Sequence, residues 1–276
     1  MKKTALGILM LVMIGMMMGC TAAEADPNGR AVKIGGTESI GQEEYVLTFC
    51  DEFDGKRLDR RNWETCPEWD RSDRGARWEK DCARVQDGKL VLSVQYDEKE
   101  KRCLSGGVRT LGKFEQAYGY YEICMKVQDE PGFWTAFWMM CGDVQNVDGS
   151  AEDGVELDIA EAFHVEQKGM NYALHWDGYG EEHRTVVKTD SLPEIYDGEF
   201  HVFAARWAKD GYTWYVDGEE MWKVEDENLI CTQPGYMKIT TEVGSWAGEI
   251  DREQLPGEIE VEYVRAYQFS GEKGKQ

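Results

Sequence analysis

From Tyr45 onward, apolar and polar positions recur in short runs whose period is two. In His201–Trp207, Val202, Ala204 and Arg206 interleave with His201, Phe203, Ala205 and Trp207. Successive side chains of an extended chain point to opposite faces, so such a run predicts a β-strand. The same reading predicts strands at Tyr45–Phe49, Leu90–Gln95, Gly119–Val127, Phe133–Met140, Tyr172–Trp176, Tyr212–Val216, Tyr236–Thr241 and Glu258–Gln268. Turn signals separate them: Asp54-Gly55, Asp87-Gly88, Asp210-Gly211, Asp217-Gly218 and Pro234-Gly235. Residues 212–223 read as a hairpin through Asp217-Gly218. No stretch holds a 3.6-residue period for three turns, and no repeat recurs at fixed spacing. Many short antiparallel strands predict an all-β fold, a two-sheet β-sandwich, with a barrel as the alternative.

The N-terminus breaks this pattern. Lys2 and Lys3 precede an uncharged apolar run from Ala5 to Met18, too short and wrongly flanked for an ordinary spanning helix. Residues 1–20 therefore read as a secretory signal. Met17-Met18-Gly19-Cys20 resembles a bacterial lipobox, in which the Cys after a small residue becomes lipidated and N-terminal; Met17 stands where Leu is usual. The expectation is an exported bacterial lipoprotein, membrane-anchored at the cell envelope through Cys20. A plain signal peptide with a chance Cys is the competing account. Residues 21–43, small, polar and Gly-containing, are expected to form a flexible tether, with the folded domain at 44–269 and a tail at 270–276.

Composition narrows the partners. A chain of 276 residues with ten Trp, thirteen Tyr and only six Pro has the material for a substantial core and none of the bias of disordered sequence. Its formal charge is −22. Removing residues 1–19 takes away two lysines and no acid, which leaves −24 on the exported chain. Nucleic acid and anionic membrane surfaces would be repelled, so any membrane attachment rests on the lipid, and a neutral partner fits better. Besides Cys20 there are seven cysteines, at 50, 66, 82, 103, 124, 141 and 231. None forms a CxxC or a Cys/His zinc spacing, so a metal framework is disfavoured, and an odd number cannot all pair within one chain.

The segment Gly154–Phe163 carries the chemistry. Its apolar residues mark a strand with one face in the core, and Glu156 and Asp158, two apart, share the other face. Glu161 would fall on the core face of a regular strand, where a lone carboxylate is costly. A one-residue bulge near Ala160 would return it to the face of the other two. Three acids on one face are compatible with paired-carboxylate catalysis, with a calcium site or with a solvated acidic face. In the catalytic case, a retaining glycosidase needs two carboxyls about 5–5.5 Å apart, one nucleophile and one acid/base. Here the two glutamates lie roughly 13 Å apart along the backbone, a gap that inward-leaning side chains and local bending must close. Asp158 between them would tune the pair.

Glu156-x-Asp158-x-x-Glu161 resembles the active-site signature of glycoside hydrolase family 16 in its bulged, laminarinase-like form. It is accompanied, in the family's order, by Asp51-Glu52-Phe53-Asp54-Gly55, Gly119-Tyr120-Tyr121-Glu122, Gly132-Phe133-Trp134-Thr135-Ala136-Phe137-Trp138, Asp217-Gly218 and Val261-Glu262-Tyr263-Val264-Arg265. The resemblance spans about residues 44–268. It implies a concanavalin A-like β-jelly roll with a concave sugar-binding cleft, Glu156 as nucleophile, Glu161 as general acid/base and Asp158 as the assisting carboxylate. No cofactor is required. Some members bind a structural calcium through a last-strand Asp; Glu262 stands there in this chain, so no metal ligand is assigned.

Sugar rings stack on aromatic side chains while their hydroxyls need polar partners. Candidate substrate-binding residues are Trp134, Trp138, Trp176, Trp246, His175, Arg109 and Glu242, with His175 placed to bond Glu161 or a sugar hydroxyl. For each, core packing or an ordinary ion pair is the competing account. The expected activity is a retaining endo-β-glucanase acting on β-1,3- or mixed-linkage β-glucan. Alternatives are an endo-β-galactosidase, agarase or carrageenase of the same family, a transglycosylase, or a non-catalytic glycan-capture lipoprotein on the same scaffold.

Overall fold

The computed structural model describes residues 36–71, 75–163 and 168–272. The signal segment with Cys20, most of the expected tether and residues 273–276 lie outside the described residues. Each of the nine predicted runs is a strand, its ends shifted by at most three residues. Gly211–Val216 and Glu219–Val224 form the expected hairpin. Asp217 (φ 49°) and Gly218 (φ 82°) both take the left-handed conformation that its two-residue turn requires. Helical structure among the described residues is confined to short 3₁₀ turns.

The strands form two sheets. The concave one has seven, in the order Arg184–Ser191, Gly169–Trp176, Gly154–Phe163, Phe133–Gly142, Gly235–Val243, Gly107–Arg109 and Glu64–Thr65. The other is centred on Gly119–Lys126 and Gly257–Phe269, flanked by His201–Ala208 on one side and Lys89–Asp97 on the other. Pairing is antiparallel except between Ala76–Trp78 and Arg102–Ser105. The inner faces meet in one core. Tyr121, Ile123, Trp207 and Trp214 come from one sheet, and Phe137, Met139, Leu157, Ile159 and Leu174 from the other, all buried. Each such side chain contributes on the order of 1.5–3 kcal/mol of hydrophobic stabilisation.

Two boundary expectations are corrected. Thr37–Ile40 is a strand rather than tether, paired in register with the start of Glu43–Asp51 across a turn at Gly41-Gln42. Gly41 (φ 62°) permits that turn, which a composition-based reading of the segment overlooks. At the other end, Ser270–Glu272 makes a 3₁₀ turn. The seven cysteines from Cys50 to Cys231 form no disulfide with one another.

Three of the sequence motifs meet on the outer face of the larger sheet. Arg265 sits opposite Glu122 on one neighbouring strand and Cys50 on the other. Its guanidinium, 1% exposed, donates to both carboxylate oxygens of Glu52, at 2.9 and 3.1 Å, and lies 3.6 Å from Glu122. Glu122, fully buried, also accepts from the Tyr267 hydroxyl at 3.1 Å. Removing one member of a buried ion cluster strands its partner's charge. Arg265→Met is therefore expected to lower unfolding free energy by about 3–5 kcal/mol in urea denaturation; a loss below about 1 kcal/mol would show that Glu122 does not depend on it.

Candidate active site

The acidic strand, Gly154–Phe163, is the third of the seven. Val155, Leu157 and Ile159 point into the core, and Glu156 and Asp158 into the concavity. Pairing with Phe133–Gly142 steps from Trp138↔Asp158 to Phe137↔Ala160, which leaves Ile159 with no opposite residue. Ile159 and Ala160 both enter the core, and Glu161 returns to the cleft. This is the expected bulge. The Trp214 indole N–H reaches across the core to the Asp158 carbonyl at 2.8 Å, tying the irregular backbone to the opposite sheet.

Two relays flank the triple. The Tyr179 hydroxyl donates to Glu156 Oε2 at 2.5 Å. His175 Nε2 lies 3.2 Å from Asp158 Oδ2, and its Nδ1 is 3.0 Å from His183 Nε2, with the two imidazoles stacked. Asp158 and Glu161 are almost wholly buried, at 3% and 8% exposure. Burial, then the neighbouring carboxylate charge, raises both pKa values well above the usual carboxylate range; Lys238 opposes the shift at Asp158, and His175 and Trp134 oppose it at Glu161. Burial and its position beside Glu156 likewise keep Tyr179 protonated.

Glu156, Asp158 and His175 present ligand atoms within 4.8 Å of one another. Two carboxylates and an imidazole nitrogen fall short of the six to eight oxygens that calcium takes, so the calcium reading of the triple fits poorly. Glu262, the position that the resemblance connects with calcium, instead accepts from Cys124 Sγ at 3.6 Å.

The cleft has a volume of about 850 Å³. Of the candidate binding residues, Trp134, Trp138, His175, Arg109, Glu242 and Trp246 line it. Trp246, partly exposed, packs on Trp134 and Phe163 with ring centroids 4.8 and 4.4 Å apart. Arg109 and Glu242 are already engaged, by Glu64 (2.7 Å) and Arg71 (3.0 Å). Trp176 is a correction: it is buried in the core between the sheets. Its neighbour His175 faces the cleft, and adjacent strand residues face opposite ways. His175 also bonds Asp158 rather than Glu161, because it lies opposite Glu156 in the register.

Sequence reasoning missed Tyr179, His183, Lys238, Arg71 and Trp78, all of which line the cleft. Tyr179 and His183 arrive on a turn after the Gly169–Trp176 strand. Asp177 fixes that turn by accepting from the backbone N–H groups of Asp148 and Gly149 and pairing with Arg184.

The family model for Glycosyl hydrolases family 16 matches residues 71–265. The chain belongs to glycosyl hydrolase family 16. Among curated relatives of this family 16 enzyme is a β-glucanase of Rhodothermus marinus, 26% identical over 285 residues that cover 93% of each chain. A glucan endo-1,3-β-glucosidase A1 of Niallia circulans is 25% identical over 260 residues; these cover 80% of this chain but 37% of that longer protein. The solved laminarinase of Flavobacterium sp. UMI-01 superposes with a TM-score of 0.67 at 28% identity, covering 80% of this chain and all of that one. The superposition agrees with a two-sheet jelly roll.

Because Glu161 holds its proton in the folded enzyme to a higher pH than in the unfolded chain, folding becomes less favourable as pH rises between the two pKa values. Glu161→Gln removes that loss. The variant is expected to melt above wild type, with a gap that opens above about pH 4.3 and widens until the folded-state pKa is passed. A gap independent of pH in calorimetric melts would contradict the raised pKa.

Proposed function

We propose that this family 16 enzyme is a retaining endo-β-glycosidase that cuts β-1,3- or mixed-linkage β-glucan by double displacement. The observation that carries this reading is the bulge, which sets Glu161 on the face of Glu156 while burial keeps Glu161 protonated. Glu161 gives its proton to the glycosidic oxygen as the bond to the anomeric carbon breaks. Glu156 Oε1 or Oε2 closes on that carbon to form a glycosyl ester, and the leaving chain departs as an alcohol. Water then attacks the anomeric carbon, Glu161 takes its proton, and Glu156 leaves as the carboxylate. Tyr179 positions the nucleophile, and the Asp158–His175–His183 relay holds the central acid between the two glutamates. The glucan preference rests on the relatives named for β-glucans.

The same reading has the enzyme exported and held at the envelope by lipid on Cys20, on the strength of Lys2, Lys3, the apolar run and Gly19-Cys20. Labelled palmitate should enter the wild type in the bacterial host and not Cys20→Ala; equal labelling would remove the anchor from the proposal.

Reducing-end release from laminarin, lichenan, barley β-glucan, agarose and κ-carrageenan tests the reaction, with the first anomer followed by NMR. Wild type should release the β-anomer first. Glu156→Gln should abolish turnover while keeping glycan affinity. Glu161→Gln should lose about 10²–10⁴-fold on glucan, and less on aryl glycosides whose leaving groups need no proton. An α-anomer released first would sink the retaining mechanism. A folded protein that binds one of these glycans without cleaving it would make it a capture protein.

A further inference from the structure

One cation in the cleft, Lys238, makes no ion pair with any of the described residues. Lys238 lies on Gly235–Val243 opposite Trp138 on one side and Arg109 on the other, facing the concavity. It is 5% exposed. Its ammonium nitrogen sits 3.5 Å from the ring centroid of Trp138 and 4.7 Å from that of Trp78. Among the described residues no acid or other acceptor lies within hydrogen-bond or ion-pair distance of it. Of the acids whose charge acts on it, Glu242 accepts from Arg71 and Glu156 from Tyr179, while Glu64, beyond Arg109, accepts from that arginine. The Arg71 guanidinium lies 4.7 Å from the Trp78 ring, so an ammonium and a guanidinium rest against one indole.

Such a cation is expensive. Removing an ammonium from water costs more than a desolvated cation–π contact returns. Burial pushes the Lys238 pKa down to about 8, and the Arg71 charge adds to the fall; Cys66, Glu156 and Glu242 pull the other way. A neutral sugar hydroxyl would accept a hydrogen bond from Lys238 without cancelling its charge. An anion on the ligand would do both.

We infer that Lys238, with Arg71 and the indoles of Trp78 and Trp138, forms a subsite for a sugar carrying an anionic group, either a sulfate ester or a carboxylate. The inference rests on the reading of the cleft as a glycosidase site and names a class of β-glycan for it. Lys238 is two strands across the sheet from Asp158, through Trp138. That is roughly 10 Å, the scale of a disaccharide, so the charged sugar lies beside the point of cleavage rather than at it. The Trp138 ring face is correspondingly covered by the ammonium and is not a bare stacking platform. Net charge argued for a neutral partner, but Lys238 adds a buried positive charge at this end of the cleft.

The test pairs neutral and anionic forms of one backbone: laminarin with its sulfated and C6-carboxylated derivatives, and keratan sulfate with its desulfated product. Wild type should cut the anionic member of at least one pair with a kcat/KM about tenfold or more higher, mainly through KM, and the two laminarin derivatives tell sulfate from carboxylate. Lys238→Met should lower the anionic-to-neutral ratio by about tenfold or more. No anionic advantage in any pair, or an unchanged ratio in Lys238→Met, overturns the inference. A second readout keeps Lys238 in place: Glu156→Gln, titrated calorimetrically, should bind the anionic member more tightly and lose that advantage as salt rises, and equal binding overturns it. If wild type cuts none of these glycans while Glu156→Gln still prefers the anionic form, the glycosidase reading falls and the subsite stands.

Discussion

One extra residue in one strand makes this site. A period-two strand cannot place side chains 156, 158 and 161 on the same face, and every alternative register would bury one carboxylate among Leu157, Phe137 and Trp214. Spending Ile159 and Ala160 together on the core side resets the phase. The cost is a local break in the ladder. The neighbouring strands hold it by resuming regular pairing on both sides, and Trp214 holds it from the opposite sheet through the Asp158 carbonyl. Glu156, Asp158 and Glu161 are therefore set by backbone geometry rather than by flexible loops, which suits the reaction proposed for them.

Close packing of acids then makes their protonation states interdependent. Asp158 and Glu161, buried beside Glu156, are both pushed toward the neutral form by burial and by neighbouring carboxylate charge. Tyr179 donates to Glu156, whereas Glu161 makes no such contact with a hydroxyl among the described residues and is buried. Two carboxyls with opposite environments are what a nucleophile and a general acid need at the same pH.

Much of this was legible in the sequence, for physical reasons that differ by element. The strands were visible because a sandwich buries one face of each, and burial imposes alternation. Arg184–Ser191 was not, because it is an edge strand whose residues are mostly exposed and polar. The acidic triple was visible because it interrupts an apolar pattern at the wrong phase. The motifs that pointed to the family do a different job. Glu52, Glu122 and Arg265 build the buried ion cluster on the far sheet, and Asp51 accepts from the Trp63 indole and from the Phe53 backbone. Strand parity alone forbade His175 and Trp176 from both lining the cleft, and that signal was available. Tyr179 and His183 were out of reach, since a turn fixed by Asp177 decides where they point.

Lys238 was illegible for a related reason: one lysine in an alternating run reads as a solvated strand face. Its place in the cleft gives it a part in the same electrostatics as the triple. Burial drives Asp158, Glu161 and Lys238 toward neutrality, raising the acids and lowering the lysine. A glycan that fills the cleft and expels water would strengthen each of these tendencies, because the field of every remaining charge grows as the dielectric falls. For the acids that change favours the protonated Glu161 that the proposed bond cleavage requires. For Lys238 it favours loss of the proton unless the ligand itself supplies a negative charge. The same desolvation thus promotes catalysis at one strand and discriminates between ligands two strands away, through groups that never touch.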